Sequence, residues 1–392
     1  MELERKTENP IIPSYSLTGD LISFLRCGLQ YRYHNQSSLP PSRPVQLWFG
    51  EFIHGVMENA YRIWQSDSPS FPWPSTPTPY REESPTDRKP HDIGTIGERV
   101  ESTLRAGGKN PRSRETRESA YKRAEQAVNH LGQYLFPLIK FAEERVIGTR
   151  DIPVPTDALD PRRAQKYELH GVIDVVTNVS LTEVPHTNVI RQSIQRECPD
   201  LTGDFEVIID YKGTKRPTTD HPYWEQGEWQ VKTYAWLRTK QRGSLPVVAG
   251  VLLYINELVP SDRELVELKK AMRNQQTDVV PKPGSQDASL LNMWKQGNST
   301  PDFSLDYRLA RAIRVIPINP ESSEEAAERF DKVVMDIEEC VNKEVVVGNI
   351  LDQWDPSGDE DTCVACDFRY VCPSPAPRSS MGNSKYQVPE AP

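Results

Sequence analysis

The sequence has no long hydrophobic run and no excess of positive charge. Its longest apolar stretch, Val247–Ile255, is far shorter than the about 20 residues that a membrane-spanning helix needs. The first residues carry no signal-peptide pattern, so we expect a cytoplasmic protein. The net charge of −9 does not indicate a general nucleic-acid binder, although a local basic groove can coexist with an acidic total. There is no Gly-x4-Gly-Lys-Ser/Thr loop, which excludes a P-loop motor.

Proline and basic residues are unevenly distributed along the chain. Residues 66–90 contain seven prolines, which predicts an extended or disordered surface loop. Residues 374–392 are rich in Pro and Ser, which predicts a disordered tail. Residues 105–123 carry seven Lys or Arg against two Glu. This basic stretch is either a solvated helix face or an arm that contacts phosphates, and the sequence alone does not choose between the two.

Cysteine is scarce, and half of it lies within ten residues near the C-terminus. The pattern Cys363-x2-Cys366-x5-Cys372 supplies three thiolates, which in a reducing compartment indicates metal binding before disulfides. A tetrahedral site needs a fourth ligand, and zinc and an iron–sulfur cluster both suit this ligand count. The candidates for the fourth ligand are Cys27, Cys198 and Cys340. If Cys27 is the fourth ligand, the cofactor joins the two ends of the chain.

The most informative stretch is Phe205–Lys212. Its β-branched run, residues 207–209, predicts a buried strand that ends in Asp210 and Lys212. Because alternate residues of a strand point to the same face, the carboxylate of Asp210 and the ammonium of Lys212 project side by side. That arrangement suits a metal ligand beside a cation that holds a water molecule. A strand end with a solvated Asp and Lys is the alternative interpretation.

A second aspartate lies inside an apolar strand. Residues 167–179 form this predicted strand, and Asp174 within it is costly to bury without a cation or hydrogen-bond donors. We expect the strand to run antiparallel to the one that contains Asp210, which would bring the two carboxylates together. With His54 they form a set of one imidazole and two carboxylates, which suits a hard divalent cation. Taken alone, His54 would be an ordinary core histidine.

Two pairs with helical spacing complete the pattern. Gly50 and His54 share one face of a predicted helix, where the glycine would let another backbone approach closely. Gln230 and Tyr234 share one face of a second predicted helix, with ordinary helix surface as the alternative. Three tryptophans in the same region are expected to pack into the core rather than to stack on unpaired bases: Trp224, Trp229 and Trp236.

Taken in order, these motifs resemble the PD-(D/E)xK nuclease superfamily. The resemblance is to its RecB-like branch with an iron–sulfur cluster, which includes AddB-type nucleases and the cluster-bearing nucleases of CRISPR adaptation. No single motif is specific, but the ordered set is, and it covers about residues 14–373. The matching features are Gly50-x3-His54, Gly171-Val-Ile-Asp174, Ile209-Asp210-Tyr211-Lys212, Gln230-x3-Tyr234 and a cysteine set split between position 27 and the C-terminal three.

The resemblance implies a role for each residue of the site. Three residues would bind Mg²⁺ or Mn²⁺: His54, Asp174 and Asp210. Lys212 would be the catalytic lysine, and Gln230 and Tyr234 would shape the site and contact DNA. Lys215 and Arg216, with the basic stretch around 112–123, would guide the DNA backbone.

The resemblance also assigns the cysteines. A [4Fe-4S] cluster would be held by Cys27, Cys363, Cys366 and Cys372. Cys198 and Cys340 have no place in the family pattern, so we interpret them as structural.

The fold that the resemblance implies is α/β, with a restriction-endonuclease-like mixed central sheet flanked by helices and a cluster joining the N- and C-terminal segments. We expect one elaborated nuclease domain over residues 14–373, between a flexible N-terminus (1–13) and a disordered tail (374–392). In order, its parts are N-terminal helices with Cys27 and His54 (14–65), a Pro-rich insert (66–92), a basic helical part (93–142), the nuclease core (143–320) and a helix with the cysteine segment (321–373).

The activity implied is metal-dependent hydrolysis of phosphodiester bonds in DNA, with endonuclease and exonuclease both open. The substrate would be single-stranded or unwound DNA in repair, recombination or antiviral defence, and a separate helicase or ATPase subunit is the expected partner. Two other functions are compatible with the sequence. One is a catalytically silent subunit that binds DNA or a helicase, and the other is a zinc-stapled protein without nuclease activity. The complete set of acids and lysine favours the enzyme.

Overall fold

The structure is a computed structural model. It describes residues 12–36, 47–75, 89–154, 162–178, 183–356, 362–363, 366 and 368–373. Residues 1–11, residues 76–88 of the Pro-rich insert and the tail from 374 onwards lie outside the described residues, so the expectations for them stay predictions.

Within the described residues the chain forms six strands and eleven α-helices. The strands are β1 (Ser14–Ser16), β2 (Ile139–Asp151), β3 (Lys166–Asn178), β4 (Glu206–Lys212), β5 (Val247–Tyr254) and β6 (Ile313–Pro317). The helices are α1 (Ile22–Arg26), α2 (Gly28–Asn35), α3 (Leu47–Asp67), α4 (Ile93–Ala106), α5 (Arg114–Leu135), α6 (Val189–Glu197), α7 (Pro222–Thr239), α8 (Asp262–Arg273), α9 (Gln286–Met293), α10 (Leu305–Ala312) and α11 (Pro320–Val347).

The strands form one mixed sheet, as the sequence predicts. Strand β3 pairs antiparallel with β2 along most of its length, parallel with β1 near its start and antiparallel with β4 near its end. Strands β4 and β5 are parallel, and β6 closes the sheet antiparallel to β5. Pro317 ends β6, an edge strand, where its missing N–H breaks no ladder bond. The expected antiparallel pairing of the two aspartate-bearing strands is confirmed.

The sheet lies between two helical layers because β4 and β5 are apolar on both faces. One face of β4, with Val207, Ile209 and Tyr211, packs in a core with α3, α4 and α5. The other face, with Ile208, packs in a second core with α7, α11 and the N-terminal helices. Asp210 and Lys212 follow Ile208 at alternate positions, so they point towards the layer of α7.

Helix α11 anchors the first segments of the chain through buried carboxylates. Asp331 accepts hydrogen bonds from Tyr167 on β3 at 2.7 Å and from Arg150 on β2 at 2.7 Å. Glu338 accepts a hydrogen bond from Tyr15 on β1 at 2.7 Å. A third carboxylate on the same helix, Glu344, binds a side chain of helix α2. A long helix thereby carries both the edge of the sheet and the N-terminal helices.

The N- and C-terminal segments meet at this helix. The Arg32 guanidinium on α2 donates two hydrogen bonds to Glu344, at 2.6 and 2.7 Å, and Trp354 Nε1 donates to the same carboxylate at 2.7 Å. The backbone N–H of Leu29 donates to the carbonyl of Asp355 at 3.0 Å. We call this set of contacts the terminal joint.

The structure contains local features that the sequence patterns above do not predict. Residues 180–203 contain the short helix α6, and residues 275–298 contain the short helix α9. In the Pro-rich insert, Trp73 is buried against α5 rather than exposed, because Asn129 bonds its backbone on both sides. Helix α11 is capped by Asn319, whose side chain accepts the N–H of Ser322.

Candidate active site

The site is formed where β3 and β4 separate. Val175 pairs with Ile209 at the end of the β3–β4 ladder, so Asp174 and Asp210 are the next residues of the two strands. Helix α3 approaches this point from one layer and helix α7 from the other. The structure therefore brings together all six residues that the sequence places in the site: His54, Asp174, Asp210, Lys212, Gln230 and Tyr234.

Lys212 is held between an acid and an amide. Its Nζ lies 2.7 Å from Oδ2 of Asp210 and donates a hydrogen bond to Oε1 of Gln230 at 2.7 Å. The amide nitrogen of Gln230 donates to the other oxygen of Asp210 at 3.2 Å and lies 3.5 Å from the hydroxyl of Tyr234. Because Gln230 bonds both members of the pair, the i, i+4 face of α7 fixes the orientation of the lysine.

Asp174 and His54 are joined through the backbone of Tyr211. Asp174 Oδ2 accepts the N–H of Tyr211 at 2.8 Å, and Asp174 Oδ1 lies 3.3 Å from Nδ1 of His54. The other ring nitrogen of His54 donates to the carbonyl of Tyr211 at 3.0 Å. The buried Asp174 thus has the donors that its burial requires.

Two glycines allow the site to close. A Cβ on Gly171 would lie 2.7 Å from the Tyr234 ring, so this residue of β3 must lack a side chain for Tyr234 to pack. A Cβ on Gly213, directly after Lys212, would lie 3.2 Å from Cα of Gly50 on α3. The turn that follows β4 therefore approaches α3 because residue 213 is a glycine. A Cβ on Gly50 itself would meet nothing within 4 Å, so the expected need for a glycine at position 50 is wrong.

Sequence reasoning missed Glu143. It lies on β2, and one ligand atom each from His54, Glu143 and Asp174 lie within 4.8 Å of one another. Glu143 has φ +53°, a left-handed conformation that is uncommon for a residue with a side chain. No local feature separates Glu143 from its neighbour Glu144, since both are carboxylates at the start of a strand. The remaining signal in the sequence is the pair Glu143 and Glu144, because these carboxylates precede the strand that contains the buried Asp174.

The electrostatics of the site reflect crowded carboxylates. Burial alone would lower the pKa of His54, but the adjacent Asp174 and the nearby Asp210 raise it to about 9. Burial and the charge of Asp174 raise the pKa of Glu143 to about 7. Burial also raises the pKa of Asp210, although Lys212 opposes this effect. The ordinary values are lower in each case, so the site takes up protons more readily than isolated side chains do.

The donor set fits a divalent cation. One imidazole and two carboxylates converge from three different elements, and hard cations prefer such oxygen-rich sets. Oδ2 of Asp210 is buried, and among the described residues no donor reaches it in hydrogen-bonding geometry, although Lys212 Nζ is close. A buried oxygen without a hydrogen-bond donor is suited to bind a cation, and this oxygen lies beside the set formed by His54, Glu143 and Asp174.

Cysteines from the N-terminal and C-terminal segments converge on one pocket. One pocket is lined by all four cysteines of the expected cluster set, Cys27, Cys363, Cys366 and Cys372. Tyr33 and Phe368 also line it, with ring centroids 4.7 Å apart. We call this the cysteine pocket. Cys198, near the Val248 carbonyl, is not among its lining residues, and neither is Cys340, which lies on α11.

Most of the basic residues expected to guide DNA are instead paired with carboxylates or carbonyls of the protein. Arg117 bonds Glu101 at 2.8 Å, and the buried Arg123 bonds Glu264 at 2.6 Å. Arg216 is buried and donates to Asp278 and to two carbonyls, so its expected contact with DNA is wrong. Lys215 is paired with Glu267. At these four positions the basic side chains are structural.

The expected core packing of the tryptophans is confirmed where they are buried. Trp229 stacks on Phe330 with centroids 3.8 Å apart, and Trp236 is buried with its Nε1 donating to Glu324 at 2.8 Å. The half-buried Trp224 is covered by the Arg314 guanidinium, 3.4 Å from the ring centroid.

Comparison with known families agrees with the site. The model of the PD-(D/E)XK nuclease superfamily matches residues 19–184 and 200–373. The chain belongs to the PD-(D/E)XK nuclease superfamily, whose members are nucleases that use divalent metal ions. A search of curated proteins found no match. Among the described residues, no helix is long and apolar enough to cross a membrane.

Proposed function

We propose that the protein is a Mg²⁺- or Mn²⁺-dependent deoxyribonuclease that hydrolyses phosphodiester bonds. The observation that carries this proposal is the convergence of Asp174, Asp210 and Lys212 at the point where β3 and β4 separate, with His54 completing the set. Structural roles alone would not require two buried aspartates to lie beside a partly buried lysine and histidine, because each charge removed from water costs free energy.

The metal would be held by His54, Asp174 and Asp210, with Glu143 as a further ligand. Bound there, a divalent cation lowers the pKa of a water molecule and neutralises charge that develops on the phosphate. Lys212 supplies a second positive charge to the site, and this one belongs to the chain itself. Its Nζ, fixed by Gln230 and Asp210, would orient the attacking water and stabilise negative charge on the phosphate oxygens. Tyr234 would shape the site and contact DNA.

We further propose that the cysteine pocket holds a [4Fe-4S] cluster, as in the RecB-like branch of the superfamily. The four thiolates of Cys27, Cys363, Cys366 and Cys372 give the ligand count, and they line one pocket. Zinc would satisfy the same count. Iron and sulfide analysis with the visible absorption of anaerobically purified protein distinguishes the two, because zinc thiolates have no visible band.

The setting that we propose is repair, recombination or defence, with single-stranded or unwound DNA as the substrate. The sequence has no P-loop motif, so unwinding would come from a separate helicase or ATPase subunit.

Cleavage of labelled linear DNA tests the proposal. Anaerobically purified protein is incubated with single- and double-stranded substrates in Mg²⁺ or Mn²⁺, beside Asp210→Ala. Asp204→Ala, an exposed aspartate just before β4, is the matched control. We expect cleavage by the wild type and the control and none by Asp210→Ala. Absence of cleavage by the wild type in both metals contradicts the enzyme, and DNA binding without cleavage then supports the silent-subunit alternative.

A further inference from the structure

A surface groove lies in the lobe that the chain builds between β5 and β6. One wall is helix α8, and the other is the end of α9 with the residues that follow it, up to Gln296. Val266 and Met272 supply apolar surface to its lining, and Leu291 lies buried behind them. Beneath it, Leu265, Leu268 and Trp294 form a small separate core, so the walls are supported by packing. We call this feature the α8–α9 groove.

The charged side chains that line the groove are all cations: Lys269, Arg273 and Lys295. Val266, Lys269 and Arg273 are three and four residues apart, so they share one face of α8. Lys269 reaches across to the other wall, where its Nζ donates to the carbonyls of Asn292 at 3.2 Å and Trp294 at 2.9 Å. Within the described residues, no carboxylate pairs with any of the three cations. The groove is therefore locally positive on a chain of net charge −9, which suits an anionic occupant.

The lobe that contains the groove is attached to the loop that follows the catalytic strand. The loop after Lys212 is attached to its lobe at several points, because Lys215 pairs with Glu267 on α8 and the N–H of Thr219 donates to the carbonyl of Gln276 at 3.0 Å. The side chain of Gln276 also donates to Asp220 at 2.6 Å. Gln276 lies three residues after Arg273, so the cationic face of α8 ends beside the loop that starts at the candidate active site.

We propose that the α8–α9 groove binds a single DNA strand outside the active site, an inference that rests on the proposed nuclease function. Phosphates of the strand would contact Arg273 and Lys295, the most exposed cations, and the apolar lining would contact base faces. A single strand presents both surfaces at once, whereas a duplex hides its base faces from a groove of this kind.

Binding measurements test the groove without requiring cleavage. The Lys212→Ala variant serves as the common background, so that a labelled single strand stays intact. In this background, Arg273→Gln with Lys295→Gln is compared with the control pair Arg196→Gln and Arg242→Gln. The control residues are exposed and lie at the other end of the parallel strands, before β4 and β5 begin.

We expect the groove pair to weaken single-strand binding about tenfold and to reduce the slope of log K against log salt by about 1.4, since each single-strand phosphate contact contributes about 0.7. The control pair should leave both unchanged. In the otherwise wild-type enzyme, the groove pair should raise KM and leave kcat unchanged.

Three outcomes overturn the inference. One is equal affinity of the groove pair and its background, a second is equal loss in the control pair, and a third is a larger loss for duplex than for single-stranded DNA. Thermal unfolding checks that both pairs stay folded. If the wild type cleaves DNA and the groove pair binds normally, the groove is wrong and the nuclease stands. If the wild type neither binds nor cleaves DNA, the proposed function fails and the groove with it.

Discussion

Loss of one partner from the buried ion pair of the terminal joint should destabilise the protein strongly. The Arg32 side chain is fully buried and that of Glu344 is 10% exposed, so water cannot replace a lost partner. Arg32→Met leaves the Glu344 carboxylate with Trp354 as its remaining side-chain donor among the described contacts. Breaking a buried pair from one side costs about 3–5 kcal/mol, a large part of the about 5–15 kcal/mol that keeps a domain folded.

A double variant separates the pair from the packing. Arg32→Met with Glu344→Gln removes both charges and keeps an acceptor for Trp354, so we expect it to cost only about 1–2 kcal/mol, less than Arg32→Met alone. The exposed i, i+4 pair of Arg62 and Glu58 provides the control, and Arg62→Met should cost less than about 1 kcal/mol. Guanidinium unfolding followed by circular dichroism and tryptophan fluorescence measures these three variants and Glu344→Gln alone, which completes the double-mutant cycle.

The reasoning is refuted if Arg32→Met costs less than about 1 kcal/mol, because the pair would then behave as an exposed one. It is also refuted if the double variant is as unstable as the two single substitutions added together. That result would show that the two side chains contribute independently and that no buried charge is left behind by the single change.

Four other perturbations have defined outcomes. Gly171→Ala places a methyl group 2.7 Å from the Tyr234 ring, so kcat should fall while circular dichroism stays unchanged. Burial would raise the pKa of Glu338, but the bonds from Arg163 lower it. The ionised Glu338 therefore stabilises the fold fully above the ordinary carboxyl pKa, and this stabilisation is lost as the pH falls through the lowered pKa. The difference in unfolding free energy between the wild type and Glu338→Gln should accordingly close in acid. Mn²⁺ should raise the Tm of the wild type but much less that of Asp174→Asn, because bound metal stabilises the folded state alone. Removing the cofactor of the cysteine pocket by chelation should lower Tm and leave the far-UV circular dichroism of a folded protein; a random-coil spectrum would contradict this.

The core of the site could be predicted from sequence because its signals are local. The alternation of a strand places Asp210 and Lys212 on one face, and an aspartate inside an apolar strand needs partners wherever that strand lies. The spacing of Gln230 and Tyr234 fixes a common helix face in the same way. These rules do not depend on the path of the rest of the chain.

The rest of the site depends on tertiary structure. Glu143 enters it through a left-handed backbone conformation opposite Asp174, which no local pattern predicts. The prediction that Arg123 and Arg216 contact DNA is wrong for a related reason. Arg123 and Arg216 look like exposed cations in sequence, but their carboxylate partners, Glu264 and Asp278, come from distant segments. Charge in a sequence indicates a binding surface only after such internal pairs are subtracted.

The expected effect of cofactor removal follows from how the terminal joint is held. The ion pair of Arg32, the backbone bond from Leu29 to Asp355 and the contact between the tilted rings of Tyr33 and Phe368 connect the two ends of the chain without using a cysteine. Small metal-binding domains unfold without their metal because the metal supplies most of their stability. Here two large cores flank the sheet, and the joint rests on one of them. The cofactor proposed for the cysteine pocket would therefore close a joint that packing has already formed, so its loss should loosen α2 and the C-terminal segment before it unfolds the sheet.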